Sequence, residues 1–377
     1  MRIIITAGGG GHFAPALSVI SSMHTEDTVL LVGAKYGLEG DKAKTLEYET
    51  AQSLGIPFAS LTTGRLQRKF TRHTVFSLLK IPQGLYQAIK IVKAFSPDVV
   101  LSFGGYISLP VVVASFLLRI PIVIHEQTLE AGMANKIAAI FATKICISWE
   151  SSKKFFPEAK TILTGNPIRK YQVSSIPSAR AQGEGKYQVS KENLPFIYIT
   201  GGSLGSHAIN VLMEGCIEKL LRAYVVFHQT GDAKQYGDFD RLQKLRESFP
   251  KELQARYVLT KFVSPFDVGK ILEKADLVVA RSGINMVSEL IYFGKPSLLI
   301  PLPFSQQNEQ TKNALFLQSL GLGKVFAQKA LTDETLYAGI TSMIKDKEKY
   351  LKNASSAKKI LPQDGAQKII DVIKSVA

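Results

Sequence analysis

Two copies of one local device constrain this chain more than any other feature. Arg2-Ile3-Ile4-Ile5-Thr6 reads as a short apolar strand and runs into Ala7-Gly8-Gly9-Gly10-Gly11-His12, followed by a helical pattern from about Pro15 to Met23. Nearly two hundred positions later Phe196-Ile197-Tyr198-Ile199-Thr200 runs into Gly201-Gly202-Ser203-Leu204-Gly205-Ser206, followed by a helical pattern from about His207 to Leu221. Strand, glycine turn and helix start form the unit in which backbone N–H groups meet a phosphate at the positive end of a helix. One such loop is weak evidence, whereas a repeat of the whole unit implies two phosphate-handling halves.

The segments between the loops alternate in the same rhythm. Val29 to Val32, Val99 to Ser102, Ile122 to His125 and Lys144 to Ile147 read as strands with helical stretches between them. After the second loop Val225 to His228, Tyr257 to Leu259, Leu277 to Ala280 and Ser297 to Pro301 continue it. Alternation of this kind implies α/β domains with parallel sheets covered by helices on both faces. Two Rossmann-like domains are expected, over residues 1–167 and 168–360, with a junction near Pro167 and a polar, aperiodic linker from Tyr171 to Pro195. A last helix, about 361–377, is expected to pack back on the first domain. Ligands of open α/β sheets bind beyond the carboxyl ends of the strands, so two such domains facing each other would enclose a deep cleft, the GT-B arrangement of glycosyltransferases. A dinucleotide-dependent dehydrogenase fails at one place: after Val32 an acidic residue is wanted for the ribose, and Gly33-Ala34-Lys35 stands there.

Composition narrows the setting. A chain of 377 residues with 46% hydrophobic and 20% charged residues suits two or three ordinary globular domains. The first residues lack the apolar core and cleavage site of a signal peptide, so no export is expected. The longest apolar stretch, Ile107 to Ile124, is interrupted by Pro110, Arg119 and Pro121 and reads as a buried helix and a strand rather than a membrane span. Cys146 and Cys216 are too far apart for a metal motif and read as core thiols of a reducing compartment. The net charge of +15 is uneven. From Thr50 to Pro97 there is no Asp or Glu, while Arg65, Arg68, Lys69, Arg72, Lys80, Lys90 and Lys93 alternate with apolar residues such as Phe76 and Leu79. Basic plus apolar means an anionic membrane surface or nucleic acid, set against a plain solvated helix face.

With these segments in hand, the chain resembles the MurG family, whose members move N-acetylglucosamine from UDP-N-acetylglucosamine to the muramyl sugar of lipid I, making lipid II. Gly8 to His12 with Pro15 is similar to the family's first glycine loop, with Ala7 and Gly9 in place of its first glycine and its threonine. Phe103-Gly104-Gly105-Tyr106 with Pro110 resembles the second loop, and His125-Glu126-Gln127 with Gly132 and Asn135-Lys136 the segment after a later strand. Thr164 to Arg169 resembles the domain junction, and Gly201 to Ser206 with Asn210 the third glycine loop. Arg281-Ser282-Gly283, Ser288-Glu289, Gly294-Lys295-Pro296, Gln310 and Asn313-Ala314 resemble the donor-binding stretch. Thr128 stands where the family usually has an asparagine that helps hold the sugar, and Asn308-Glu309 where an Asp-His pair is common.

The resemblance implies an inverting, metal-independent hexosyltransferase with no cofactor. It implies donor contacts from Gly9, Gly10, Gly11, Thr128, Arg169, Ser203, Val263, Ile284, Asn285, Met286, Val287, Ser288, Glu289 and Gln310. Ser203 and the N–H groups after it are read as lying at a helix start suited to the diphosphate, with a plain N-cap serine as the alternative. Glu289 is assigned to the ribose hydroxyls; without the family a solvent-facing glutamate is the expectation. Gln310 offers a donor and an acceptor for sugar hydroxyls. Val263 meets the uracil through its backbone, Ile284 to Val287 lie near the diphosphate and ribose, and Arg169 either pairs with a phosphate or braces the junction.

An attacking hydroxyl must lose a proton, so a base is needed near the glycine loops. Histidine is a side-chain type that can titrate near neutrality, which makes His12 the first candidate, against a structural histidine; Glu126 is second, as base or as the orienter of a neighbour, and Tyr106 contacts the acceptor or lines the cleft. No metal set is expected, and Asp238-Phe239-Asp240, formally a DxD, reads as a solvated helix or loop. The expected partners are UDP-N-acetylglucosamine, lipid I, the anionic inner leaflet on the cytoplasmic side of a bacterial plasma membrane, and cell-wall synthesis proteins. The competing readings are a related transferase acting on diacylglycerol and, more remotely, a nucleic-acid-binding protein.

Overall fold

The computed structural model describes residues 1–36, 44–64, 72–168 and 193–377; of 10, 72–79 and 306 it describes the backbone only. The stretch read as a linker lies outside these residues apart from its last three. The chain divides into two units. Met1–Ile168 and Pro362–Ala377 form the first, and the described part of the second runs from 193 to Leu361.

The first unit is built on seven strands: β1 (Arg2–Thr6), β2 (Thr28–Gly33), β3 (Phe58–Ser60), β4 (Val99–Ser102), β5 (Ile122–Glu126), β6 (Lys144–Ile147) and β7 (Thr161–Leu163), in the order β3-β2-β1-β4-β5-β6-β7. Every pairing is parallel, with Ile4 of β1 opposite Leu30 and Val100. A parallel sheet covered on both faces wants unbroken apolar strands. Ile3, Ile4, Ile5, Val99, Val100, Ile122 to Ile124 and Ile145 meet that demand and are all buried. Helices α1 (Gly10–Ser22), α2 (Leu46–Leu54), α3 (Arg72–Phe95), α4 (Ser108–Leu117) and α5 (Met133–Phe141) connect these strands.

The second unit repeats the scheme with β8 (Phe196–Thr200), β9 (Val225–Gln229), β10 (Tyr257–Thr260), β11 (Leu277–Ala280), β12 (Ser297–Leu299) and β13 (Gly323–Val325), all parallel and ordered β10-β9-β8-β11-β12-β13. Its helices are α6 (His207–Leu221), α7 (Asp238–Ser248), α8 (Lys251–Arg256), α9 (Val268–Lys274), α10 (Ile284–Phe293), α11 (Glu309–Ser319), α12 (Asp333–Lys345) and α13 (Lys347–Lys358). A final helix, α14 (Gly365–Lys374), belongs to the first unit and packs against α1. It buries Ile369, Ile370 and Ile373 there.

Several expectations need correction. The first helix begins at Gly10, not near Pro15: the N–H groups of His12 and Phe13 both reach Gly9 O at 3.0 Å, so the glycine run itself forms the first turn. Strand β12 stops at Leu299 rather than Pro301, since proline has no N–H for the ladder. Strands β3, β7 and β13 went unread because three-residue edge strands are too short to show a period. Ile107 to Ile124 does form a helix and a strand, but the end of α4 is not buried: Phe116 is 52% and Leu117 59% exposed. Cys146 and Cys216 are buried free thiols, and burial pushes both up to about 12.

Asp238 is not solvated. It opens α7 only 5% exposed, receiving Asn210 Nδ2, His207 Nδ1 and Arg241 at 2.8 Å each. Burial works against its charge, but these donors hold the carboxyl below its ordinary value. Asn210 in turn meets His228 Nε2 at 3.0 Å, and His228 Nδ1 meets Tyr257 Oη at 2.9 Å. Asp238 is thus part of a buried brace between α6, α7, β9 and β10, while Asp240 is exposed on the helix as expected.

In each sheet the strand order reverses once, between β1 and β4 and between β8 and β11. Side chains cannot close over such a point, so the loops leaving the carboxyl ends there bound a crevice. The glycine loops occupy these positions. Close backbone packing makes the third loop demanding: a Cβ on Gly205, at φ +76°, would lie 1.9 Å from Thr230 O, whereas one on Gly237, at φ +59°, would meet nothing within 4 Å. Gly237→Ala should therefore cost only the left-handed strain, about 1–2 kcal/mol, a Tm loss of a few degrees. Gly205→Ala adds a backbone clash and should lower Tm by at least about twice as much. Equal Tm values for the two variants, by calorimetry, would contradict this packing.

Candidate active site

The first unit's candidate residues all leave the carboxyl ends of β1, β4 and β5. After β1 and β4, Gly8 and Gly105 pack backbone to backbone: a Cβ on Gly105, at φ +86°, would lie 3.0 Å from Gly8 O. Any side chain there would push the two loops apart. Gly9 caps α1, and its N–H reaches Glu47 Oε1 at 3.3 Å. Gly10 and Gly11 form the first helical turn, Gly11 exposed. Glu47, in the first turn of α2, was not singled out by sequence reading. It is 3% exposed, and burial raises its carboxyl above the ordinary value against the opposing effect of its backbone hydrogen bonds.

His12 is half-buried, with Nδ1 3.3 Å from Gln127 Oε1. Tyr106, also half-buried, follows the second glycine turn and borders an apolar cavity of about 290 Å³ with Leu85, Leu109, Pro110 and Met133. Glu126 is 2% exposed and fully engaged. Its Oε1 accepts from Thr128 N at 3.0 Å and Thr128 Oγ1 at 2.5 Å, and its Oε2 from Gly132 N at 2.9 Å and Asn135 Nδ2 at 3.0 Å. Three N–H donors and the Thr128 hydroxyl, whose one hydrogen also faces Glu130 O, occupy the carboxylate. Glu126 is thus a brace for the loop after β5, which corrects its reading as a proton acceptor and keeps its reading as an orienter. Thr128 is the neighbour it orients, and its hydroxyl is directed at Glu126 and Glu130 O rather than outward.

In the second unit Ser203 does not lie at a helix start. It stands in the turn before α6, and Ser206 is the N-cap, its Oγ accepting from Ile209 N at 3.5 Å. Glycines at 201, 202 and 205 lengthen this loop, so Ser203 stands four residues before the helix, which begins at His207 as the sequence pattern implies. Arg281, the first residue after β11, reaches across to the same cap: its guanidinium donates to Ser206 Oγ at 2.7 Å, Ile300 O at 2.9 Å, Pro301 O at 3.2 Å and Gln328 Oε1 at 2.7 Å. All four partners are neutral. Burial lowers this group to about 10, so it remains a cation at neutral pH beside the third glycine loop. A polar residue following the all-apolar strand β11 is the sequence signal for it, whereas Gln127 stands in the His125-Glu126-Gln127 motif at the end of β5.

Ile284, Asn285, Met286, Val287, Ser288 and Glu289 all lie in α10, which starts after β11 at the switch point. Ser288 Oγ is turned back to Ile284 O at 2.8 Å. Glu289 is 2% exposed, which corrects the solvent-facing expectation. Val263 is buried in the turn after β10. Gln310 lies in the first turn of α11, and its Oε1 already accepts from Leu302 N at 3.0 Å, so one acceptor position is spent on the loop after β12. Arg169 lies outside the described residues. Among the described residues no group of three or more His, Cys, Asp or Glu is arranged to hold a metal ion.

Comparison with known proteins follows the same division. The N-terminal domain model of glycosyltransferase family 28 matches residues 3–147 and the C-terminal domain model residues 196–372. A curated relative from Natranaerobius thermophilus, a UDP-N-acetylglucosamine–N-acetylmuramyl-(pentapeptide) pyrophosphoryl-undecaprenol N-acetylglucosamine transferase, is 32% identical over 100% of both chains. A transferase of the same name from Bacillus cytotoxicus is 31% identical over 100% of this chain and 99% of its own. Among solved structures, MurG of Acinetobacter baumannii superposes with TM-score 0.67 at 23% identity over the full length of both chains. A UDP-GlcNAc 2-epimerase from Neisseria meningitidis, bound to UDP-GlcNAc, does so with TM-score 0.65 at 16% identity, also over both full lengths. These two share the fold. With two Rossmann-like domains of the GT-B class and full-length identity to named transferases, the chain belongs to the MurG family of glycosyltransferase family 28.

Proposed function

We propose that this chain transfers N-acetylglucosamine from UDP-N-acetylglucosamine to the C4 hydroxyl of the muramyl sugar of lipid I, with inversion, forming lipid II. Full-length similarity to transferases of that printed name carries the reading. The chemistry of the loops supports it. In the second unit the third glycine loop, the start of α6 and the Arg281 cation offer N–H groups and positive charge to a diphosphate without calling on a metal. Glu289 takes the ribose hydroxyls, Val263 and Ile284 to Ser288 the base and diphosphate side, and Gln310 and Ser203 the sugar and phosphate.

In the first unit His12 is the general base. As the acceptor oxygen bonds to the anomeric carbon and UDP departs with the bonding electrons, the hydroxyl proton passes to His12. Gly9 to Gly11, Tyr106 and the loop braced by Glu126, with Thr128, position the reacting sugars, and Arg169 serves a phosphate or the junction.

The acceptor's lipid requires contact with a membrane surface, and no described helix is long and apolar enough to cross a membrane. We place the docking face on α4 and α5. Phe116, Leu117, Met133 and Ile140 are 51–71% exposed there, beside exposed Arg119 and Lys136, and the rings of Phe116 and Phe141 touch with centroids 5.1 Å apart. Exposed apolar groups rimmed by cations suit an anionic leaflet on the cytoplasmic side. Arg65, Arg68 and Lys69 of the basic stretch lie outside the described residues, as do the side chains at 72–79.

Two variants test the division of labour. Glu289→Ala removes charge-assisted hydrogen bonds of about 1.5–3 kcal/mol each, partly replaced by water, so calorimetric affinity for UDP should fall tenfold or more. His12→Ala should lower kcat about a hundredfold or more and leave that affinity unchanged. Activity should survive a chelator. Unchanged UDP binding in the first variant, loss of UDP binding in the second, or strict manganese dependence would each overturn its part of the reading.

For docking, Leu117→Asp combined with Ile140→Asp removes two apolar side chains, each contributing about 1.5–3 kcal/mol when fully buried, and adds repulsion. Sedimentation with phosphatidylglycerol vesicles should be lost while UDP affinity is kept. Normal sedimentation of this variant would show that the face is not used.

A further inference from the structure

A histidine serves as a base only through a nitrogen that carries no proton, so a neutral imidazole has one useful face at a time. In the first unit three side chains bear on which face that is. Gln127 is 1% exposed, and its Nε2 sits 3.0 Å from Phe103 O, 3.1 Å from His125 O and 3.2 Å from His125 Nδ1. Two of these are carbonyl oxygens, which only accept, so the amide cannot be turned over without setting its oxygen against both. Its Oε1 is therefore fixed toward His12 Nδ1, 3.3 Å away. An amide oxygen has no proton to give, so the proton of this contact belongs to His12.

His125 completes the chain from the other side. It is fully buried, and its Nε2 lies 3.2 Å from Gly165 O, another pure acceptor, and 3.3 Å from Ser148 Oγ. Nε2 must carry the hydrogen, which leaves Nδ1 as the acceptor for Gln127. Burial also holds this ring well below its ordinary value, at about 4, so it stays neutral and keeps a single tautomer at working pH.

We propose that Gln127 and His125 are positioning residues that lock the proton of His12 on Nδ1 and so keep the lone pair of Nε2 available to the attacking hydroxyl. The inference rests on the reading of His12 as the base and adds how the base is prepared. In water a neutral histidine side chain prefers the other tautomer, with the hydrogen on Nε2, and a ring in that state offers no lone pair there. The lock reverses the preference, as the orienting partner of a catalytic imidazole does elsewhere.

Nitrogen-15 NMR of histidine-labelled protein tests this directly. The chain has six histidines, and the spectrum of His12→Gln assigns the His12 signals. At a pH where the ring is neutral, wild type should show His12 protonated on Nδ1 and His125 on Nε2. A neutral His12 protonated on Nε2 overturns the proposal without need of any variant.

Kinetics supply the second arm. Gln127→Leu should release the tautomer and lower kcat about five- to tenfold, with KM for the donor unchanged. In the His12→Ala background the same substitution should lower kcat no further, because the residue acts through that ring. Losses that multiply would assign Gln127 a role independent of His12 and overturn the proposal. If instead His12→Ala alone leaves kcat near wild type, the base reading fails, while the tautomer spectrum still decides whether the lock exists.

Discussion

The backbone contact between Gly8 and Gly105 is the constraint on which the first unit's site depends. It joins the loops after β1 and β4 at the point where the strand order reverses, with no side chain between them. Because the loops meet, His12 at one and Tyr106 at the other stand over the same edge as the loop after β5, and His12 comes within reach of Gln127. A methyl group at Gly105, where the backbone is left-handed and Gly8 O lies 3.0 Å from the added carbon, would strain this contact, whereas one at Gly8 would meet Gly105 only at 3.4 Å. Packing of the sheet core, mostly β-branched and buried, supplies the rigidity that lets loops hold such geometry.

The two units solve different electrostatic problems with the same scaffold. In the first, the buried polar groups are satisfied locally: Glu126 is surrounded by N–H and hydroxyl donors of its own loop, and His125 is buried and kept neutral. His12 stands half-buried beside them. In the second, Arg281 is held among carbonyls, a hydroxyl and an amide, none of which cancels its charge. A cation so placed beside glycine-loop N–H groups is suited to the charge that develops on a departing diphosphate. The brace around Asp238 fixes α6 against α7 and so steadies that loop from behind.

Much of this was legible in the sequence for a simple reason. Buried parallel strands must be continuous apolar runs, and a phosphate loop must be glycine-rich, so β1, β4, β6, β8 and β11 and their loops show themselves by composition alone. Edge strands of three residues carry no such signature. The polar contacts were harder, since a residue's type does not say what meets it. Glu126 reads equally well as a base or a brace until Thr128, Gly132 and Asn135 are seen to surround it. Asp238 reads as solvated until Asn210 and His207, distant in sequence, are found against it. Arg281 was visible as part of a motif, but its reach to Ser206 spans two loops and could only be seen in three dimensions.

The central claim is that this scaffold carries a sugar from UDP-N-acetylglucosamine to a lipid-linked muramyl acceptor. Purified protein should be incubated with UDP-N-acetylglucosamine, UDP-glucose and UDP-galactose in turn, each with lipid I or with diacylglycerol, and the products identified by mass and linkage analysis. The account predicts one productive pair, UDP-N-acetylglucosamine with lipid I, giving a β-linked disaccharide lipid. Transfer to diacylglycerol in its place, or an α-linked product, would contradict it.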